Sequence, residues 1–152
     1  MAEGTSARVE RGIKLFNSGY NCAQATLCAF AEDIGVDESE LRLAAAALGG
    51  GMSGTRGVCG AVSGMLIALG FLRASADVTD TERKHALYAE GRELMDDFTA
   101  EFGTVTCGEL MASAARFRKE PHPLVNDPMC RPCSAYVAYA VSILEAHLNC
   151  KL

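Results

Sequence analysis

The sequence predicts an all-α protein, a compact bundle of about six to seven helices. Three observations carry that expectation. Apolar residues recur at spacings of three and four, no stretch alternates convincingly with a period of two, and helix-start signatures recur along the chain. There are no repeats and no low-complexity linker.

Each element follows from local chemistry. Val9, Ile13 and Phe16 mark a first short helix that breaks at Ser18-Gly19. Asn21, with Gln24 three residues on, caps a second helix expected to run to Ile34. Asp37 and Glu40 form a capping-box signal for a third, LRLAAAAL, which Gly49-Gly50-Gly51 ends. The fourth, at about residues 58–72, is apolar all round and is expected to be buried. Thr79 and Glu82 announce the longest helix, with Leu87, Gly91, Leu94, Phe98 and Phe102 along one face. Thr106 and Glu109 repeat the signature before CGELMASAARF, and Pro121, Pro123 and Pro128 stiffen the following loop. The last helix starts near Pro132 and turns Val137, Val141, Leu144 and Leu148 toward the core.

A chain of 152 residues with 49% hydrophobic content fits one domain, residues 1–152, with a real core. Its net charge of −5, without a basic block, argues against nucleic-acid binding, because phosphate contacts need clustered Lys and Arg. The N-terminus carries acids and lacks the apolar region of a signal peptide. The longest apolar run, between Arg56 and Arg73, is too short and too glycine-rich to cross a bilayer of about 30 Å. The expectation is a soluble cytoplasmic protein with no membrane insertion; the apolar content also suggests a homodimer.

GGGMSG, residues 49–54, matches G-x-G-x-x-G, but an Ala-rich helix precedes it instead of a strand. No Lys follows to make a phosphate loop, so a helix end and a flexible turn are the better reading. Gly60, Gly64 and Ala68 share a helical face, where a neighbouring helix can approach closely.

The seven cysteines are the most informative feature. In a reducing cytosol they suggest metal binding or redox chemistry more than a disulfide framework. Cys130-Arg-Pro-Cys133 is the one C-x-x-C, without a βαβ context or a second pair. Cys22, Cys59, Cys107 and Cys133 all fall in predicted first turns, where free N–H groups and the helix dipole favour thiolate. Cys28, mid-helix, and Cys150, at a helix end, read as structural, and Cys130 lies one step outside the pattern. His85, His122 and His147 do not cluster with the thiols, and no pair of acids suggests hydrolase chemistry.

Four stretches, GYNCAQATLCAF, GVCGAVSGMLIALG, VTCGELM and CSAYVAYAVSILE, occur in an order that resembles a family of redox-active proteins. That family is named for a cysteine, a C-G-A-x-x-G motif and two further cysteines. The resemblance implies that Cys22, Cys59, Cys107 and Cys133 are the family's cysteines. Members often lie near transporter genes, and a similar domain in a split-Soret di-haem cytochrome is linked to an iron–sulfur centre. This chain has no C-x-x-C-H, so the resemblance does not extend to haem.

Three functions follow as expectations. The first is a four-thiolate metal site, a [2Fe-2S] cluster with zinc as a chemically easy substitute, serving electron transfer or redox sensing with a partner protein. Gly57, Gly60 and Gly64 would leave room for the cluster and offer N–H groups to its sulfurs. The second is metal-free thiol–disulfide chemistry, with Cys130 and Cys133 as a candidate pair. The third is a helical interaction module, a transporter accessory whose cysteines are only buried.

Overall fold

The computed structural model describes residues 5–127 and 129–150, and Pro128 of the proline loop lies outside them. Among the described residues there are eight α-helices and no strands. Helix α1 (Ala7–Asn17) is capped by the Ser6 hydroxyl, which accepts from the Val9 amide at 3.2 Å. It buries Val9, Ile13 and Phe16, as the spacing predicts, and Gly12 with them.

The helix expected over residues 21–34 is two helices, α2 (Cys22–Cys28) and α3 (Ala31–Ile34). Phe30 leaves helical geometry, at φ −104° and ψ 13°, and its ring is fully buried. Burial of that aromatic outweighs one more turn of helix, and this break lifts the count above the expected six to seven. Helix α4 (Glu38–Ala44) begins at Asp37, whose carboxylate accepts from the Ser39 amide at 2.8 Å and not from Glu40.

A 3₁₀ turn, Ala46–Leu48, leads into the glycine loop of residues 49–57. The loop expected to be flexible is closed by its own backbone. The Gly54 amide donates to Gly49 O, Arg56 to Gly50 O and Gly57 to Gly51 O, at 2.8–3.0 Å.

Helix α5 (Gly60–Arg73) crosses α2 at close range. A Cβ on Gly64 would stand 2.4 Å from the Ala23 carbonyl oxygen, so only glycine permits this crossing. The expectation that α5 is buried all round holds for its first turns, whereas Phe71 is half exposed.

Helix α6 (Thr81–Phe102) starts one residue later than expected. Asp80 accepts from the Arg83 amide, while the Thr79 hydroxyl donates to Asp77. Its Gly91, Leu94, Phe98 and Phe102 are buried as predicted. Helices α7 (Cys107–Ala114) and α8 (Ser134–Cys150) complete the bundle, with α8 packed on α1, α5 and α6. No helix of the described residues is long and apolar enough to cross a membrane.

Candidate functional site: a four-thiol cavity

The four cysteines singled out by their helix-start positions line one cavity of about 140 Å³. They come from four separate helix starts. Cys22 opens α2 behind a complete capping box: Asn21 Oδ1 accepts from the Gln24 amide at 2.8 Å, and Gln24 Oε1 accepts from the Asn21 amide at 3.0 Å. Cys133 is the residue before α8, and its carbonyl accepts from the Tyr136 and Val137 amides.

Cys59 and Cys107 are held by each other's segments. The Cys59 amide donates to Val105 O at 2.8 Å, and the Cys107 amide donates to Gly57 O at 2.6 Å. These bonds flank an antiparallel bridge between Val58 and Thr106. The start of α5 is therefore pinned to the start of α7, although 48 positions separate the two cysteines in sequence.

Small residues make the room. A Cβ on Gly51 would lie 2.6 Å from Cys107 Cβ, and one on Gly60 would lie 3.0 Å from Cys22 Cβ. Of the three glycines expected at a cofactor, Gly60 lines the cavity. The Gly57 amide is engaged by Gly51 O, so Gly57 shapes the bridge, and Gly64 serves the α2–α5 crossing. Sequence reasoning missed Gly51, Arg56, Met111, Arg131 and Tyr136 in the lining. Adjacency was their signal: Arg56 directly precedes GVCG, and Arg131 lies inside the C-x-x-C.

The electrostatics differ from the expectation that helix starts acidify these thiols. Cys59 and Cys107 are buried, and Cys22 and Cys133 are half-buried. Burial pushes the Cys59 thiol up to about 11, while the Ala61 and Val62 amides only partly offset it. Burial likewise raises Cys22 strongly and Cys133 to a lesser degree, and repulsion among the four sulfurs adds to it. Cys22 feels the other three, Cys59 feels Cys107 and Cys133, and Cys133 feels Cys107. Desolvation thus beats the helix dipole, and without a cation Cys22, Cys59 and Cys133 are thiols at neutral pH. Arg131 opposes the rise at Cys22 and Cys133, and Arg56 opposes it at Cys133.

The other cysteines stand apart. Cys28 is buried beneath α4, with Sγ 3.8 Å from Glu38 O, and Cys150 is exposed. Cys130 lines different cavities, on the side of His122 and Leu124, and accepts from Asn17 Nδ2 at 3.2 Å. His85 is exposed, His122 bonds Glu101 and His147 bonds Glu90, so none joins the thiols. Among the described residues, no three His, Cys, Asp or Glu side chains converge tightly enough to hold a single metal ion.

Fold and site together define a small all-α protein with four of its seven thiols, each at a helix start, gathered around one cavity. The chain belongs to the family described as "Putative redox-active protein (C_GCAxxG_C_C)", whose model matches residues 20–147. It is also similar to an uncharacterised protein of Archaeoglobus fulgidus, 28% identical over 98% of this chain and 97% of that protein. No solved structure matches the chain.

Proposed function

We propose that Cys22, Cys59, Cys107 and Cys133 bind a [2Fe-2S] cluster and that the protein transfers or senses single electrons. The observation that carries this reading is the gathering of four thiols, from four helix starts, around one cavity. Its lining includes no carboxylate and two arginines, a soft and locally cationic donor set suited to an anionic iron–sulfur core.

Four thiols ringing one cavity supply the two thiolates per iron that a two-metal core needs. Zinc remains a chemical substitute for the same donors. When bound, the cluster would supply a one-electron couple. The chain's residues would fix the thiolates, exclude bulk water through Phe16, Leu110 and Tyr136, and present Arg56 and Arg131 as counter-charge.

Metal-free disulfide exchange fits less well. Cys130 and Cys133 face different cavities, and buried protonated thiols are weak nucleophiles.

Protein purified without oxygen, or reconstituted with iron and sulfide, should show a visible absorption band. Two irons and two acid-labile sulfides per chain are expected for this cluster type. Cys22→Ser, Cys59→Ser, Cys107→Ser and Cys133→Ser should each reduce loading at least tenfold. Absence of both iron and labile sulfide after reconstitution of the wild type would overturn the reading.

A further inference from the structure

Arg56 is an odd residue for its place. Its backbone is left-handed, at φ 63°, in a loop where Gly50, Gly51 and Gly54 hold the same conformation as glycines. Met52 and Ser53 share that conformation, but neither lines the cavity. An L side chain in this region carries a cost that glycine avoids.

Both backbone groups of Arg56 are clamped. Its amide donates to Gly50 O at 3.0 Å, and its carbonyl accepts from the Gly108 amide at 3.2 Å. The clamp ties the glycine loop to the first turn of α7 and throws the side chain over the cavity. There Nη1 lies 3.9 Å from Cys107 Sγ and 2.8 Å from Met111 Sδ. Among the described residues the guanidinium has no carboxylate partner.

Arg131 approaches from another side and is already occupied. It stacks on the Phe16 ring at 3.9 Å, and its Nη1 donates to Phe16 O at 3.1 Å. The two cations divide the site, Arg131 facing Cys22 and Cys133, and Arg56 facing Cys133 and Cys107.

Resting on the cluster reading above, we infer that Arg56 is a positioning residue of the four-thiol site: its guanidinium supplies positive charge beside Cys107 and raises the reduction potential of the thiol-held group. Adding an electron increases the negative charge beside a cation, so removing the cation makes reduction harder. Arg56 is exposed, so its charge is partly screened by solvent and salt.

Two variants isolate the charge. Arg56→Gly suits the left-handed backbone and should fold, while Arg56→Lys keeps the charge. Redox titration of the loaded protein with dithionite at low salt should shift the reduction equilibrium about tenfold against reduction in Arg56→Gly. That is ~59 mV for one electron. Arg56→Lys should recover most of the shift, and 1 M salt should shrink it.

A second readout needs no metal. In the reduced apo-protein, the rate of Cys107 alkylation by anionic iodoacetate relative to neutral iodoacetamide, mapped by mass spectrometry, should fall severalfold in Arg56→Gly only. Equal potentials in all three loaded proteins would overturn the inference. If the wild type takes up no iron, the cluster reading fails, and the alkylation ratio alone decides whether Arg56 places charge at Cys107. An unchanged ratio would then overturn that as well.

Discussion

Two adjoining regions of the bundle are built in opposite ways. Around Phe102 the interior is filled by the largest side chains: its ring lies 4.9 Å from Phe98, 4.8 Å from Tyr136 and 5.2 Å from Tyr139, with Phe117 and His122 beside it. Around Cys107 the interior is kept open by the smallest, with Gly51 and Gly60 where any Cβ would crowd a cysteine. Tyr136 belongs to both. Its ring closes the aromatic stack, and it also walls the cavity, with its hydroxyl donating to Leu110 O at 2.7 Å. Close packing is the default of protein interiors. A glycine-lined cavity ringed by thiols therefore costs stability, which the aromatic region must supply.

The most direct way to break this comparison is to truncate one residue in each region. Phe102→Ala removes a buried ring from the aromatic contacts and should cost about 3–5 kcal/mol in urea unfolding. Cys133→Ser, measured metal-free and reduced, swaps one half-buried polar-capable group for another and should cost no more than about 1 kcal/mol. Comparable losses in the two variants would show that the regions do not divide stability from chemistry in this way.

A smaller effect should come from pH and should arise at the cavity. The Cys59 thiol is raised from 9.0 to about 11, chiefly by burial. Below the unfolded value both states hold the proton, and the group does not affect folding. As pH climbs from 9 toward 11 the unfolded chain ionises first, so the native state loses ground. Metal-free protein under reducing conditions should lose on the order of 2 kcal/mol from this group across that window. Cys59→Ser should lose correspondingly less in the same urea titrations. Parallel wild-type and variant curves would place the Cys59 thiol in a better-solvated setting than its burial implies.

Part of the aromatic region was legible in the sequence, because Leu94, Phe98 and Phe102 lie on one helical face; Tyr136, which joins it to the cavity, was not. The cysteine register was legible for a local reason: Asn21 with Gln24, Thr106 and Pro132 all mark helix starts. What joins those starts was not. The Val58–Thr106 bridge and the Ala23–Gly64 approach connect residues 48 and 41 positions apart, and no local pattern encodes such pairings. The break at Phe30 is another tertiary effect, since the ring is drawn into the core against helix continuity. Thiol chemistry was misread for a similar reason. A helix start favours the anion locally, but the depth of burial that reverses the preference is set by distant elements.

The smallest expected effect gives the sharpest test of which cysteines act together. Cys130 and Cys133 are three residues apart and look equivalent in sequence, yet Arg131 separates their surroundings. Its amide donates to Asn17 Oδ1 at 3.1 Å, and its guanidinium lies over Phe16, which anchors the segment against the end of α1. Cys130 stays on the outer side, accepting from Asn17 Nδ2, while Cys133 turns inward beside Tyr136. A serine hydroxyl can accept the same Asn17 bond. Cys130→Ser should therefore change stability by less than about 1 kcal/mol and leave iron and sulfide loading at the wild-type level. Cys133→Ser should reduce loading at least tenfold. If Cys130→Ser loses the iron and Cys133→Ser keeps it, the fourth ligand is Cys130, and the segment leading into α8 must reach the cavity by a different path.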